Sequence, residues 1–509
     1  MDNQSVGLIG LGSIGTGMAQ QLLKDGLQVI GYDLNDSARQ QAAKIGVTIA
    51  ESAAGVVEHV DQVLLSLPDS DAVEQVCLGS NGLLVGAQSS ANRQLLVIDT
   101  TSGYPGQTQQ ISQVLEDAGI EYIDAAITAP SGGANGVGER QLTFIVGGAE
   151  GTVDKARPLL ERLGDQLFHV GPVGSGQIVK QVNNMSAAVS LIGTLEGLLV
   201  ASKHGLDLKQ NLEVMRVGTG HTAFARFPQM FDNRNHGGAH IGLMTKDLEY
   251  MSRLAREARI PSPVGDLAGH QFRAAAQTLG HDASILQIAD VMETWSGVTL
   301  DFDHKVSLET DNDQPVDSIT KVGIIGLGNI GEELCKILIK DGLDVYGHDV
   351  DGDKIERMAA IGVKTPGSVK AIAEVTGLLI LALPQSAVVE HVLFDDDGAA
   401  AADNPGLLIV DTTSGYPDQT REFAQRLAGS EMILMDAAIT GERGGSLAIP
   451  DRNLTFIVGG EAADLKRART VLDRFSSHLF LLGPLGAGQI AKMVNNMVCS
   501  VAGVALLEG

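Results

Sequence analysis

The feature that most constrains this chain is a long internal repeat. Residues 6–15 (VGLIGLGSIG) return as residues 322–331 (VGIIGLGNIG), an offset of 316. The seven residues DTTSGYP that begin at Asp99 return unchanged at Asp411, an offset of 312. Shared words of this length at one wide spacing indicate tandem duplication of a whole domain, not a solenoid of short repeats. We call the two repeats copy 1 and copy 2.

Each copy opens with the pattern of a dinucleotide-binding fold. In copy 1 the apolar run 6–9 is typical of a buried parallel strand, and Gly10-x-Gly12-x-x-Gly15 follows at once. A helical pattern and a second strand then lead to Asp33. Glycines let the turn close and let a pyrophosphate approach the helix N-terminus, and the acid can accept hydrogen bonds from ribose hydroxyls.

A lone glycine triplet is weak evidence, but here the ordered set of strand, triplet, helix, strand and acid occurs twice. Asp33 and Asp349 favour NAD, because a carboxylate would repel a 2′-phosphate, whereas Arg39 leaves NADP open. The candidate cofactor residues are Gly10, Leu11, Gly12, Ser13, Ile14, Gly15 and Asp33 in copy 1, and Gly326, Gly328, Asn329, Ile330, Gly331 and Asp349 in copy 2.

Three further loops follow predicted strands, at the sheet edge where open α/β folds bind ligands. Leu67-Pro68, with its counterpart Leu383-Pro384, is either a ligand loop or a simple loop proline. After the strand ending at Ile127, Ser131-Gly132-Gly133 can turn successive N–H groups toward an anion, or can form a flexible loop.

The third loop carries the hydroxyls of Thr101 and Ser102, which recur as Thr413 and Ser414. These groups can donate to a carboxylate or to a nicotinamide amide, or they can cap the helix that starts near Gln107. Because the whole loop is repeated unchanged, we favour a role in ligand binding, although both roles are compatible.

A glycine-rich turn at residues 174–176 leads into a largely apolar helical stretch that carries Lys180 and Asn184. Residues four apart share one face of a helix. Burying a lysine on such a helix costs free energy unless an anionic or reactive group lies in front of it. The alternative is that the side chain extends so that its ammonium reaches solvent. The same pair returns as Lys492 and Asn496.

The composition excludes several classes of protein. At 509 residues the chain is too long for one core, and its formal charge of −26 with 4% aromatics disfavours nucleic acids and anionic membranes. The three cysteines match no metal or disulfide spacing, and no leader peptide is apparent, so a reducing, cytoplasmic setting is expected. We expect no metal at His236 and His240, which flank helix-breaking glycines, and no membrane span, because Glu196 interrupts the most apolar helix.

Together these motifs resemble those of the β-hydroxyacid dehydrogenase family, which includes 3-hydroxyisobutyrate dehydrogenase and tartronate semialdehyde reductase. The resemblance covers copy 1 from end to end and copy 2 as far as Gly509. The words that carry it are the glycine loop, Leu67-Pro68, the 99–105 loop, Ser131-Gly132-Gly133, residues 174–184, Glu196 and Lys246-Asp247-Leu248.

The family resemblance implies a Rossmann domain with a doubly wound parallel sheet, a long linking helix and an all-α domain. It implies Lys180 as general acid/base with Asn184 beside it on the substrate. Ser131, Gly132 and Gly133 would hold the substrate carboxylate, with Thr128 competing for the serine role, and Lys246 and Asp247 would approach cofactor and substrate. Copy 2 has Arg443-Gly444-Gly445 in place of the serine loop and no counterpart of Lys246-Asp247 before Gly509.

We therefore predict NAD-binding Rossmann domains at 1–172 and 321–484, an all-α substrate and dimerisation domain at 173–300, an acidic linker at 301–320 and the start of a second long helix at 485–509. The predicted activity is NAD(P)-dependent oxidation of a short 3-hydroxy or 2-hydroxy acid, in a homo-oligomer or a pseudo-dimer between the copies. The alternatives are an imine-type reductase, against which Lys180 speaks, and a regulatory or scaffold protein that binds nucleotide with little turnover.

Overall fold

The computed structural model describes residues 5–90, 95–129, 132–236, 238–306, 318–441 and 445–509. The chain forms two compact units, each built on one sheet. Unit 1 comprises Met1–Val189, Gln229–Val291 and Val504–Gly509, and unit 2 comprises Ser190–Pro228 and Met292–Gly503. The segment 173–300, predicted as one all-α domain, is thus divided between the two units.

Unit 1 contains an eight-stranded sheet of order β3-β2-β1-β4-β5-β6-β7-β8. Its strands are β1 (Ser5–Ile9), β2 (Gln28–Tyr32), β3 (Thr48–Ile49), β4 (Gln62–Leu65), β5 (Leu96–Asp99), β6 (Glu121–Thr128), β7 (Leu142–Gly147) and β8 (Gly164–Gly171). Strands β1 to β6 are parallel, as predicted, but β7 runs antiparallel to β6 and β8 runs parallel to β7. β7 returns beside β6 after a short connection, which an antiparallel pair permits.

Among the described residues, copy 1 and the helical segment after it contain fourteen α-helices. These are α1 (Ser13–Lys24), α2 (Asp36–Lys44), α3 (Ala53–Val57), α4 (Ser70–Leu78), α5 (Leu83–Ser90), α6 (Pro105–Asp117), α7 (Gly133–Gly138), α8 (Glu150–Leu160), α9 (Ser175–Lys203), α10 (Leu208–Val217), α11 (Gln229–Asn233), α12 (Ile241–Ala258), α13 (Pro263–Leu279) and α14 (Ile288–Ser296).

Copy 2 repeats the architecture in a seven-stranded sheet of order β10-β9-β11-β12-β13-β14-β15. Its strands are β9 (Lys321–Ile325), β10 (Asp344–His348), β11 (Leu378–Leu381), β12 (Leu408–Asp411), β13 (Ile433–Thr440), β14 (Leu454–Gly459) and β15 (Ser476–Gly483). Its helices are α15 (Asn329–Lys340), α16 (Gly352–Ala360), α17 (Val369–Ala373), α18 (Ser386–Phe394), α19 (Pro417–Leu427), α20 (Gly445–Ala448), α21 (Ala462–Leu472) and α22 (Ala487–Glu508).

The central strands of both sheets are buried on both faces, as their continuous apolar runs predict. Of the predicted linker, residues 307–317 lie outside the described residues, and Phe302 is buried. Two helices, α9 and α22, are long and apolar enough to span a membrane by length and composition alone. Most of the apolar stretch of α9 is buried in the protein, as in the core helix of a globular fold.

Candidate active site

The glycine loop between β1 and α1 is crowded on one side and open on the other. A Cβ on Gly10, whose φ is +93°, would lie 2.1 Å from the Ser66 carbonyl oxygen, and one on Gly15 would lie 1.9 Å from the Gly10 carbonyl oxygen. A Cβ on Gly12, which immediately precedes α1, would meet no atom within 4 Å. The open side lies at a helix N-terminus, which favours an anion, so a pyrophosphate fits this cradle.

Asp33, at the end of β2, turns its carboxylate back onto this loop. Its Oδ2 accepts a hydrogen bond from the Leu11 N–H at 2.6 Å, and its Oδ1 accepts one from the Asn35 N–H at 2.7 Å. Arg39 donates to the Asp33 carbonyl oxygen and pairs with Asp36, so its guanidinium already has two oxygen partners. A carboxylate in this position can bind ribose hydroxyls and repels a 2′-phosphate.

Copy 2 repeats the cradle beside a cavity of about 990 Å³. Asp349 Oδ2 accepts from the Leu327 N–H at 2.8 Å, and a Cβ on Gly328 would again meet nothing within 4 Å. Gly331 is a packing glycine, because a Cβ there would lie 1.8 Å from the Gly326 carbonyl oxygen. The predicted residues that line the cavity are Gly326, Gly328, Asn329, Ile330, Asp349, Leu383 and Pro384. Its size and lining suit a dinucleotide.

The Leu67-Pro68 loop and the 99–105 loop are tied together by α12. Lys246 donates to the Pro68 carbonyl oxygen at 2.8 Å and to the Ser102 carbonyl oxygen at 2.5 Å. The Leu67 N–H donates to Thr101 Oγ1 at 3.2 Å. Both loops therefore lie at the carboxyl ends of parallel strands, where α12 reaches the sheet, and this position favours the ligand-loop interpretation of Leu67-Pro68.

The two loop hydroxyls have different surroundings. Thr101 is buried and its hydroxyl accepts from Leu67, whereas the hydroxyl of half-buried Ser102 has no hydrogen-bond partner within the described residues. The capping alternative is wrong, because α6 begins at Pro105 after Tyr104, and no side chain caps it. Ser102 is thus the hydroxyl better placed to meet a ligand.

The start of α9 is fixed by a carboxylate to which the sequence assigned no role. Asp124, in β6, accepts from the Gly174 N–H at 2.7 Å and from the Gln177 N–H at 2.9 Å. Burial raises the pKa of Asp124 to about 7, against the lowering effect of these two N–H groups. Gln177 also binds the 99–105 loop, donating to the Thr101 carbonyl oxygen and accepting from the Gly103 N–H. The side chain one turn further on is therefore held in a fixed relation to both loops.

That side chain is Lys180, which is only 8% exposed. Asn184 Nδ2 donates to Asp247 Oδ2 at 2.5 Å, and Lys246 Nζ lies 3.3 Å from Asp247 Oδ1. Burial lowers the pKa of Lys180 to about 8, with Asp247 opposing the change and Lys246 adding to it. In the part of the chain that the structure describes, the Lys180 ammonium has neither a hydrogen bond nor an ion pair.

The third predicted loop is described only in part. Ser131 lies outside the described residues, and Thr128 ends β6. The Gly132 N–H donates to the Ala129 carbonyl oxygen at 3.1 Å, so it is not free to bind an anion. A Cβ on Gly133 would lie 3.0 Å from Ile14 Cδ1, which places this turn beside the glycine loop.

The lysine helix of copy 2 differs from that of copy 1. Lys492 is half-buried, Thr413 is buried, and Ser414 and Asn496 are exposed. The buried amide is that of the preceding residue, Asn495, for which we predicted no role. The Asn-Asn pair occurs in both copies, but the sequence does not indicate which of the two side chains is buried in each copy.

No group of three or more His, Cys, Asp or Glu side chains is placed to bind a metal among the described residues. His240 Nδ1 lies 2.8 Å from the Asp282 carbonyl oxygen, which is a structural contact.

Comparison with known families assigns both Rossmann sheets. Residues 5–171 and 321–483 match the family described as the NAD binding domain of 6-phosphogluconate dehydrogenase. Residues 174–292 match the NAD-binding domain of NADP-dependent 3-hydroxyisobutyrate dehydrogenase. The chain belongs to the β-hydroxyacid dehydrogenase family. The tandem duplication predicted from the repeat is confirmed, and this β-hydroxyacid dehydrogenase has two nucleotide-binding domains.

Its relatives match a little over half of the chain and most of their own length. The NAD-dependent L-serine dehydrogenase of Pseudomonas aeruginosa is 33% identical over 279 residues, which is 53% of this chain and 91% of that protein. The mitochondrial 3-hydroxyisobutyrate dehydrogenase of Mus musculus is 32% identical over 277 residues, covering 53% and 81%. A Mycobacterium tuberculosis 3-hydroxyisobutyrate dehydrogenase structure with L-serine has a TM-score of 0.50 and 26% identity, covering 57% of this chain and 99% of that one.

The predicted cofactor and reaction class are thereby confirmed. This β-hydroxyacid dehydrogenase is an NAD(P)-dependent oxidoreductase that acts on the hydroxyl group of a small hydroxy acid.

Proposed function

We propose that copy 1 oxidises a short 3-hydroxy acid, or a 2-hydroxy acid, to the oxo acid or semialdehyde, with NAD as hydride acceptor. The observation that carries this proposal is Lys180, a buried lysine with a pKa of about 8 and without a hydrogen-bond partner in the described structure. The relatives are named for L-serine and 3-hydroxyisobutyrate, small carboxylates with a hydroxyl on the third carbon. A pocket made of one lysine, one amide and short loops suits acids of that size.

Proton transfer is assigned to Lys180. Its pKa of about 8 leaves a substantial neutral fraction near neutral pH, so it can accept the proton of the substrate hydroxyl and return it in the reverse direction. In its charged form it stabilises negative charge that develops on the same oxygen. NAD, when bound, supplies the hydride acceptor.

The neighbours of Lys180 hold the substrate in position. Asn184 is oriented by its hydrogen bond to Asp247 and lies on the same helix face as Lys180, one turn further on. Ser102, Thr128, and Ser131 and Gly133 of the turn that follows β6 are proposed to bind the substrate carboxylate. Burial lowers the pKa of Lys180 to about 8, while the charge of Asp247 raises this pKa and the charge of Lys246 lowers it.

NAD preference is proposed from Asp33 and Asp349, together with the internal pairing of Arg39. A cytoplasmic location and an oligomeric assembly, or a pseudo-dimer of the two copies, remain predictions from the sequence. Imine reduction is a weaker proposal, because an imine substrate has no hydroxyl proton for Lys180 to accept.

The test is reduction of NAD by the full chain with a panel of short 2- and 3-hydroxy acids, using Lys180→Ala and Lys492→Ala as matched variants. We expect Lys180→Ala to abolish turnover and Lys492→Ala to retain it. NAD binding without turnover on any acid, unaffected by either variant, would support a nucleotide sensor or scaffold and overturn the dehydrogenase assignment of copy 1.

A further inference from the structure

The loop DTTSGYP has the same seven residues in both copies but different hydrogen bonds. In copy 1 the Gly103 N–H donates to Gln177 Oε1 at 2.7 Å, and Gln177 Nε2 donates to the Thr101 carbonyl oxygen at 2.8 Å. In copy 2 the Gly415 N–H donates instead to the Thr413 carbonyl oxygen of its own loop, at 2.9 Å. Because the loop sequence is identical, the cause of the difference lies outside the loop.

Gln489, the counterpart of Gln177, has other partners. Its Nε2 donates to Asp411 Oδ2 in a long hydrogen bond of 3.4 Å, and its Oε1 accepts from Thr420 Oγ1 at 2.9 Å. Both glutamines are buried, so their amides depend on protein partners. In copy 2 the amide thus pairs with a carboxylate and with helix α19, whereas in copy 1 it pairs with the loop backbone.

In copy 1 the carboxylate at the end of β5 is paired by a tyrosine of the neighbouring strand β6. Asp99 is 1% exposed, and its Oδ1 accepts from the Thr101 N–H at 3.0 Å. Its Oδ2 accepts from the Tyr122 hydroxyl at 2.7 Å. Burial raises the pKa of Asp99, whereas hydrogen bonds from Tyr122 and Thr101 lower it. A buried carboxylate is costly without donors, and here both of its oxygens have one.

Copy 2 lacks this tyrosine. The residue at the equivalent position of β13 is Leu434, which has no hydrogen-bond donor in its side chain. Asp411 is buried and takes its donor for Oδ2 from Gln489. Because Tyr122 supplies that donor in copy 1, Gln177 keeps its amide for the backbone of the loop.

The serine of the loop differs in the same sense. Ser102 is half-buried in copy 1, and its counterpart Ser414 is exposed in copy 2. Lys246 of α12 also donates to the Ser102 carbonyl oxygen, so α12 is a second candidate cause of the difference. A substitution of Tyr122 leaves the residues of α12 unchanged and so separates the two causes.

We propose that Tyr122 is a positioning residue of the copy 1 active site, which acts on the substrate through the 99–105 loop. By pairing with Asp99 it leaves Gln177 free to bind the loop backbone, and the loop then presents the Ser102 hydroxyl to the substrate. This role rests on the dehydrogenase function proposed for copy 1. One tyrosine in place of leucine thereby gives the same seven residues a different conformation in the copy that carries Lys180.

The first test does not require turnover. It is a crystal structure of the full chain with Tyr122→Phe, which removes the hydroxyl and keeps the ring in the core, and one with Tyr122→Leu, which installs the residue of copy 2. We expect Gln177 Nε2 to turn to Asp99 and the Gly103 N–H to donate to the Thr101 carbonyl oxygen, as their counterparts do in copy 2. Structures in which Gln177 keeps both of its bonds to the loop would overturn the proposal and leave α12 as the cause.

The second test is steady-state reduction of NAD with a short hydroxy acid. Both Tyr122 variants should raise the KM for the acid about tenfold, the value of one hydrogen bond to a charged group, with little change in kcat. The midpoint of the pH–rate profile should stay in place, because the charges that act on Lys180 are those of Asp247 and Lys246. As a matched control, Tyr346→Phe makes the same chemical change in β10 of copy 2 and should leave the KM for the acid unchanged.

The two tests separate the failure of this role from the failure of the proposed function. An unchanged KM for the acid in both Tyr122 variants would refute the positioning role while leaving the dehydrogenase activity in place. A shifted pH midpoint would also refute it, because Tyr122 would then act on the charge of Lys180 and not through the loop. If the wild type oxidises no acid, the proposed function fails, and the crystal structures still decide whether Tyr122 sets the conformation of the loop.

Discussion

Replacing Lys180 by methionine is expected to stabilise the protein while abolishing its turnover. The lysine is 8% exposed, and burial lowers its pKa from 10.5 to about 8. Below pH 8 both the folded and the unfolded chain carry the charge, so the folded state bears the full cost of burying it. That cost is about 3 kcal/mol at about 1.36 kcal/mol per pKa unit. Methionine fills a similar volume without a charge, so the variant should avoid this cost.

The assay is calorimetric unfolding of wild type and Lys180→Met across pH, with Lys24→Met on α1 as an exposed control. At pH 7 the stabilisation should raise the unfolding temperature of the transition that contains α9 by about 6 to 12 °C. Because the folded pKa lies below the unfolded one, wild-type stability should rise between about pH 8 and 10.5 and the difference should shrink there. A variant no more stable than wild type at pH 7, with the same pH dependence, would refute the view that Lys180 is charged and desolvated.

Three further predictions concern the active site. The rate of NAD reduction should rise with pH through about 8 and then level off, because the neutral form of Lys180 accepts the hydroxyl proton. Asp247→Asn should move the midpoint of this pH–rate profile to lower pH, because it removes the charge that raises the pKa of Lys180. Gly12→Ala should leave the unfolding temperature unchanged but should lose one equivalent of bound NAD in a calorimetric titration. Gly15→Ala should lower the unfolding temperature as well, because a Cβ on Gly15 meets backbone atoms and a Cβ on Gly12 does not. Equal stability of the two variants would contradict this prediction. Asp33→Ser should raise the KM for NAD by about tenfold and narrow the preference for NAD over NADP, because it removes a charged acceptor for the ribose hydroxyls. Unchanged kinetics would show that the Asp33 carboxylate only stabilises the glycine loop through its hydrogen bond to Leu11.

Much of the fold could be predicted because its determinants are local. Gly10 has a positive φ, and apolar runs of four or five residues become strands buried on both faces. The repeat doubled this information, so a weak motif in one copy was supported by its counterpart in the other. The reversed direction of β7 was missed, because strand direction depends on how a connection returns to the sheet and not on the apolar pattern.

The contacts that define the site escaped prediction because they join residues far apart in the chain. Asp124 binds the start of α9 from 50 residues away, and nothing in the word DAAIT marks it as a helix cap. Glu508 accepts from the N–H groups of Val264 and Gly265 at the start of α13, more than 240 residues earlier. Only a folded chain brings such groups within hydrogen-bond distance.

The sequence alone determined that the chain contains two Rossmann nucleotide domains, that each begins with a phosphate-binding glycine loop, and that a lysine helix follows each of them. These features depend on backbone conformation and on residue types at fixed spacing, so both copies reproduce them wherever the sequence motifs are repeated. The tertiary structure alone decided that the two lysine centres differ. In copy 1, Asn184 is hydrogen-bonded to Asp247, and in copy 2, Asn495 is hydrogen-bonded to the turn at residues 218–220. The partners differ because they are set by the segment that packs against the helix face and not by the helix itself.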